Sequence, residues 1–336
     1  MSEVDDRAPR VDETAARVDW PDAAPRAPFP LVRRVGHLRL VKTDVAGLAP
    51  YADGLARLEQ GITYPVGDGA DHFQIDHGPS YHPFFSSMGD AHFLLALDGD
   101  EVVGNVTGVV RTLRRRSRAV HGLYVCDLKV APRHRGTGLA RRMLLAGLAS
   151  IARDPRTRKV RLLYGAAMRG AAGDVRRSAR GLNPLKLGRS VARLSLYFVH
   201  PEQLAVLRLE GAPPPPRLDL GLDLSPDTAD AWADTAGRKD LRLQSTGDAW
   251  PLVHLPLGPA SWGGGLGAYL QRCGQELVAR GVAGPACFGL DQRLEDHVAW
   301  LQVAGIAPGA TCTVYSLSLV PSFRKVGWVH LATSEI

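Results

Sequence analysis

Four cysteines and four methionines are all that 336 residues contain, and aromatic side chains make up only 7% of the chain. Cys126, Cys273, Cys287 and Cys312 stand far apart, with neither CxxC spacing nor the density of a disulfide-stapled domain. Buried reduced thiols are therefore expected, and no metal. No apolar run approaches the roughly 20 residues that cross a bilayer. The first residues also lack the basic start and apolar stretch of a secretory signal. A cytoplasmic protein with no membrane partner is the expectation. What the chain does have is 45% hydrophobic residues and a mean hydropathy of -0.09, an ordinary soluble balance at a length that can hold two cores.

The net charge is +7, which suits a polyanionic partner. Nucleic acid is not the expected one. The densest basic cluster, Arg111, Arg114, Arg115, Arg116 and Arg118, falls on a turn between two strand-like runs, with no recognition-helix pattern and no interleaved aromatics. It reads either as a site for phosphates or an acidic carrier protein, or as a solvated hairpin turn.

Residues 123–130 alternate as a strand and residues 139–153 have helical period, and between them stands Arg133-His134-Arg135-Gly136-Thr137-Gly138. A glycine-bearing turn that opens a helix aims unpaired N–H groups and the positive end of the helix dipole at one point, where a diphosphate can be held. Gly136 and Gly138 supply backbone torsions that other residues resist, and Arg133 and Arg135 add charge beside the same spot. Two β-rich runs, 92–97 and 102–112, precede the motif and are joined by the turn pair Asp98-Gly99. Residues 160–164 form a further strand after it.

Strand, RxxGxG, amphipathic helix and second strand in this order resemble the acetyl-CoA-binding region of the GNAT superfamily of N-acyltransferases. The resemblance implies an α/β (α+β) fold with a mixed, mostly antiparallel sheet flanked by helices, in which the fifth strand splays from the fourth and admits the pantetheine arm. It implies acetyl-CoA or another acyl-CoA as donor substrate. The acyl oxygen and pantetheine amides would meet the main chain of Leu128, Lys129 and Val130. The pyrophosphate would meet Arg133, Arg135, Gly136, Thr137, Gly138, Leu139, Ala140 and Arg141. By register, the glutamate that many relatives carry on the fourth strand corresponds to Tyr124 or Cys126, neither an obvious base. Asp127 is the only carboxylate on that strand, and a bulge is required to turn it toward the acceptor. It is the candidate base or water-ordering group, with a structural hydrogen-bonding role as the other reading, and His121 is a further candidate. Relatives place a tyrosine acid on the helix after the fifth strand. Residues 171–180, the expected helix, contain none, which leaves Tyr164, a tyrosine from the second half, or unassisted thiolate departure.

Residues 1–34 read as a disordered lead-in and 35–203 as the acyltransferase domain, with 194–199 as a strand closing its sheet. Four prolines at 213–216 mark a stiff linker over 204–216. Residues 217–336 repeat the grammar of the first half: 257–267 lie over 130–140 without a gap, 127 positions downstream. Ala260 and Trp262 replace Arg133 and Arg135, and too few residues precede Trp250 for a full set of elements. A truncated, degenerate GNAT-like half is expected, shaping the acceptor cleft or holding a second acyl-CoA site.

Residues 62–88, rich in Tyr, Phe, His, Gly and Pro, read as a long loop. Asp71-His72, Asp76-His77 and Tyr81-His82 match no metal-ligand spacing. The loop reads either as an acceptor-recognition element or as packed aromatics. The functional expectation is transfer of an acyl group, most simply acetyl, to a primary amine of a small molecule or peptide in a ternary complex. The other readings are a longer acyl chain, delivered by CoA or an acyl carrier protein, and a non-catalytic acyl-CoA-binding protein.

Overall fold

The computed structural model describes residues 33–66, 71–115, 118–168, 188–226, 233–236, 238–250 and 252–336. Most of the lead-in and the helix expected at 171–180 lie outside them. In chain order the first half holds β1 (Arg33–Val35), β2 (Leu38–Asp44), α1 (Ala52–Gln60), β3 (Tyr64–Val66), β4 (Asp71–Asp76), α2 (His82–Ser86), β5 (Asp90–Asp98), β6 (Glu101–Arg115), β7 (Arg118–Val130), α3 (Leu139–Arg153) and β8 (Val160–Met168). There follow β9 (Arg189–Val199), α4 (Pro201–Ala205), β10 (Gly221–Asp223), β11 (Ala233–Asp234), β12 (Asp240–Leu243), β13 (Ala249–Trp250), β14 (Val253–His254), α5 (Leu266–Ala279), β15 (Ala286–Asp291), α6 (Glu295–Val303), β16 (Ala310–Ser318) and β17 (Trp328–His330).

One 11-stranded sheet runs through both halves in the order β1-β2-β5-β6-β7-β8-β16-β9-β15-β14-β11. The Asp98-Gly99 turn is made as the dipeptide requires, with Gly99 at φ 61 between antiparallel β5 and β6. The pair β7–β8 is parallel, and so is β14–β15, each bridged by one helix as a parallel crossover demands. The expectation for 194–199 is corrected here. The segment lies in β9, which does not close the first sheet: it pairs with β15 and with β16. The strand between β8 and β9 is β16, from the second half. The halves thus exchange their last strands across a pseudo-twofold, and neither sheet is complete alone.

Helices pack on both faces. On one face α3 buries Leu139, Met143 and Leu144 against Leu40, Leu94 and Val103. On the other, α1 and α2 cover a core of Phe85, Phe93, Leu95 and Tyr124 that reaches Val314 of the second half. A separate core joins α5 and α6 to β9 and β15 through Trp262, Leu270, Phe288 and Leu301. Leu204 and Leu207, inside the segment expected as a linker, are buried in it. A second correction concerns 62–88. Where composition gives a loop, this stretch forms β3, β4 and α2, because β4 finds partners the local sequence cannot announce: β12 and β13 extend it into the small sheet β13-β12-β4-β3. Arg242 Nε to Asp76 Oδ2, 2.7 Å, and Ser245 Oγ to Asp71 Oδ2, 2.6 Å, tie its two sources together.

Candidate functional site

The pairing of β7 with β8 ends at Tyr124 and Tyr164. Beyond that point β7 continues to Val130 and β8 to Met168 as unpaired neighbours, so a wedge opens between them. On its other side β7 bulges. Asn105 pairs with Lys129 and Thr107 with Cys126, so Asp127 and Leu128 together oppose Val106. Asp127 takes φ 52, and among the described residues it alone lies at positive φ without being glycine. A regular pleat would hide its side chain on the opposite face, and the bulge turns it to the face covered by α1 and α2.

There it enters a buried polar network. Asp127 accepts hydrogen bonds from Tyr81 Oη, from Asn105 Nδ2 at 2.8 Å and from Lys129 Nζ at 2.8 Å. Lys129 also reaches Glu59, whose Oε1 lies 2.7 Å from His77 Nδ1. Burial pushes the Glu59 carboxyl up, but the His77 hydrogen bond and the Lys129 charge outweigh it and hold the group below the usual carboxylate range. Burial disfavours the Lys129 ammonium, yet Asp127 and Glu59 raise its pKa above the ordinary lysine value. Glu59, His77 and Asp127 converge as three metal donors would, and the Lys129 ammonium occupies the centre of their negative charge. His72 and His82 do not join them.

The motif turn lies at the mouth of the wedge. Gly136 and Gly138 have φ 77 and 79, and a Cβ on either would meet nothing. The torsion, not crowding within the chain, is what calls for glycine. The first bond of α3 runs from Arg142 N to Gly138 O, 3.1 Å. Among the described residues no protein acceptor meets the N–H groups of Gly136, Thr137, Gly138, Leu139, Ala140 or Arg141. Arg135 Nε donates to Val130 O at 3.3 Å, whereas Arg133 pairs with Glu101 beside His134.

Other expected candidates are placed elsewhere. Arg111 is not on the basic turn: it is 1% exposed and pairs with Glu335. The turn tip at 116–117 lies outside the described residues. Tyr124 Oη donates to Glu335 O, 2.7 Å, and Tyr164 Oη to Leu224 O, 2.8 Å. Burial drives both phenols above their ordinary range and pushes Cys126 up to about 12. None of the three is a ready proton carrier at neutral pH.

A cavity of about 1280 Å³ runs through the wedge and along both faces of the sheet. Leu144, Leu148 and Ile151 line it under α3; His77, Phe84 and Asp127 line the opposite face; Trp250, His254 and Tyr315 come from the second half. Tyr64 and Phe73 of the aromatic stretch, stacked at 5.4 Å, also face it, as do Phe84 and Phe85, whereas Tyr81 is packed in the core. The packed-aromatic reading of 62–88 holds for Tyr81.

Several participants have little or no sequence signature. Glu59 has one: Leu55, Leu58, Glu59 and Ile62 follow the i, i+3, i+4, i+7 spacing, which puts a carboxylate on an apolar stripe. Lys239 and Tyr315 reach the cavity, and Tyr81 and Asn105 the network around Asp127, only through tertiary pairing.

The second turn is built differently. Trp262, where the first turn has Arg135, is 1% exposed. Its Nε1 donates to Leu257 O at 3.1 Å, while Ser261 Oγ and Tyr269 Oη both donate to Pro256 O, at 3.0 and 2.7 Å. The main-chain acceptors beside this turn are satisfied by its own side chains.

Residues 63–169 match the Acetyltransferase (GNAT) family. No curated protein matches the chain in sequence. Among solved structures, a tandem GNAT protein from the clavulanic acid biosynthesis pathway is similar at 11% identity over 84% of this chain and 99% of that one, with a TM-score of 0.43. Saccharomyces cerevisiae N-myristoyltransferase with bound myristoyl-CoA is similar at 11% identity over 87% of this chain and 80% of that one, TM-score 0.49. A putative acetyltransferase from Pyrococcus horikoshii is similar at 12% identity over 72% and 79%, TM-score 0.38. Among the described residues no helix is long and apolar enough to cross a membrane.

Proposed function

Residues 63–169 are a domain of the acetyltransferase (GNAT) family, and on that premise we propose that the chain moves an acyl group from acyl-CoA to a primary amine of a small molecule or peptide by direct attack in a ternary complex. One observation carries the reading: the wedge beyond Tyr124 and Tyr164, the bulge at Asp127 and the unengaged amides of Gly136 to Arg141 follow one another along β7 and the turn after it. They match the three parts of a thioester carrier, namely acyl carbonyl, pantetheine arm and diphosphate. The amides and the α3 dipole hold the diphosphate, with Arg135 and Arg141 beside it. The main chain of Leu128, Lys129 and Val130 orients the pantetheine amides and polarises the acyl oxygen.

Asp127 accepts from three side-chain donors, Tyr81 Oη, Asn105 Nδ2 and Lys129 Nζ, so its oxygens are already engaged. Its role is to order water and fix the wall of the acceptor site. Tyr315 lines the cavity from β16 in register with Gly165 of β8. That position supports it as the second-half tyrosine proposed to protonate the departing thiolate. The filled turn at Trp262 supports a structural role for the second half, with one donor site per chain.

The cavity favours a second reading of the donor. Its volume exceeds the roughly 300–1,000 Å³ of most small-ligand pockets, and Leu144, Leu148 and Ile151 extend it beneath α3 as an apolar channel. An acyl chain longer than acetyl fits that channel. The test is thiol release by purified protein with acyl-CoAs of increasing chain length and a panel of polyamines, amino acids, aminoglycosides and peptides. Turnover that rises with chain length selects the longer donor. Binding without turnover on any amine would make the chain an acyl-CoA sensor, and absence of binding would end the proposal.

A further inference from the structure

We propose that the donor is a medium-chain acyl-CoA, whose chain crosses the sheet beneath α3 in a channel held open by Gly108 and Gly147; this deepens the acyl-transfer reading and rests on it. The seating of α3 is uneven. Its first half is packed down, with Leu139, Met143 and Leu144 buried. Leu148 and Ile151 continue the same stripe, four and seven positions after Leu144, yet they are only half-buried and line the cavity. An apolar stripe that faces its sheet without closing on it leaves dry room for an apolar ligand.

Strand register gives the path. Val106 stands opposite the bulge of Asp127 and Leu128, Leu94 is its partner on β5, and Lys42 is the partner of Leu94 on β2. The neighbouring row runs from Val125, where β7 and β8 part, through Gly108 to His92. All six residues line the cavity. A chain that starts at the acyl carbonyl beside Leu128 therefore crosses β6 and β5 over an apolar floor. Gly108 keeps the middle of that floor flat, and Gly147 leaves the roof open above Leu94. Among the described residues a Cβ on Gly147 would meet only Leu94 Cδ2, at 3.7 Å, an ordinary contact. Glycine inside a helix is disfavoured relative to alanine, and no neighbour of Gly147 requires it. The absent side chain gives the channel its width.

The far end is polar. Lys42 and His92 are buried; Lys42 Nζ pairs with Asp154 Oδ2 at 2.5 Å, His92 Nε2 lies 3.1 Å from Asp90 Oδ2, and Arg156 Nη2 lies 3.4 Å from His92 Nδ1. Hydrocarbon pushed into this cluster would part buried ions and leave them without replacement partners. The channel therefore has a fixed length. From β7 to β5 are two strand spacings, about 10 Å, which at bonds of about 1.5 Å hold on the order of eight carbons of an extended chain.

The test is titration calorimetry of the full chain with CoA and with acyl-CoAs from acetyl to dodecanoyl, in the wild type, Gly147→Ala and Gly147→Leu. Wild-type affinity should rise about fourfold per methylene up to octanoyl and stop rising beyond it. Gly147→Leu fills the channel, so its affinity for octanoyl-CoA relative to CoA should fall at least about tenfold, and CoA binding itself reports that the variant is folded. Gly147→Ala favours the helix and serves if leucine prevents folding; it should lower the same ratio about fourfold, the worth of one methylene. An unchanged ratio in both variants, or wild-type affinity that is flat from acetyl onward, overturns the channel and leaves transfer of a short acyl group standing. A rise that continues through dodecanoyl overturns the polar end and the medium-chain limit. A wild type that shows the expected length dependence but acylates no amine overturns the acyl-transfer reading, and with it the donor role, while the channel stands.

Discussion

Arg111 on β6 and Glu335 in the last turn form a buried ion pair, Nη1 to Oε2 3.0 Å, with side chains 0% and 7% exposed. Arg111 also donates to Leu224 O at 2.9 Å, and Glu335 accepts from Ser225 Oγ at 2.7 Å. The second half is therefore anchored beneath the motif strand through charge as well as through the exchanged strands. Removing one partner strands the other charge in a low dielectric, so Arg111→Met should cost about 3–5 kcal/mol. Urea denaturation should show Arg111→Met with Glu335→Gln losing less than Arg111→Met alone. A loss in the double variant equal to the sum of the two single losses would mean the pair is not coupled.

The network around Lys129 predicts a pH dependence. The Glu59 carboxyl lies below its unfolded value, so its contribution is present above about pH 4.3 and is lost as pH falls through the folded value. Lys129 lies above its unfolded value, so its contribution is complete below about pH 10.4 and is lost as pH rises through the folded value. Stability from this network should be flat between those limits. Lys129→Met leaves two carboxylates facing each other, and its deficit should shrink between pH 7 and pH 5 as they protonate. A deficit independent of pH would show that lost packing, not charge, is responsible.

The parts of the molecule legible in the sequence are those whose reasons are local. The turn at Gly136 and Gly138, the Asp98-Gly99 hairpin and the stripes of α3 and α5 follow from backbone torsion and from period. The exchange of β9 and β16 does not, because a strand's alternation says which face is buried and nothing about which strand lies beside it. The residues at 62–88 read as loop for the same reason: β4 is half-buried along its length and owes its form to β12, more than 160 positions away by the Arg242–Asp76 contact. The acceptor side of the site depends on that pairing. Asp127 could be found on its strand, but its direction could not, since a bulge is a mismatch between two strands and leaves no mark in one.

Trp262 gives a prediction about stoichiometry. Its indole fills the core between His297 and Trp328, with ring centroids at 5.2 and 5.9 Å. Trp262→Ala should cost about 3–5 kcal/mol of stability. If the second turn is structural, titration calorimetry should count one acyl-CoA per chain in the wild type. Two equivalents, the second lost with a bulky substitution at Gly264, would restore the second turn as a ligand site.

The last prediction separates backbone strain from ligand binding. Gly138 at φ 79 and Gly99 at φ 61 both occupy left-handed torsions, and a Cβ at either meets nothing within 4 Å. Alanine at each should therefore cost a similar amount of stability, about 1–2 kcal/mol, with no steric contribution. Gly99 caps a hairpin at the opposite end of β6 from the basic turn, whereas Gly138 directs the first amides of α3. Gly99→Ala should leave acyl-CoA affinity within about twofold. Gly138→Ala should weaken it at least tenfold, about 1.4 kcal/mol, because relaxing φ turns the N–H groups of Gly138 and Leu139 away from the mouth of the wedge. Equal affinities in the two variants would mean that these amides do not hold the diphosphate, and the donor site would have to be sought elsewhere along the cavity.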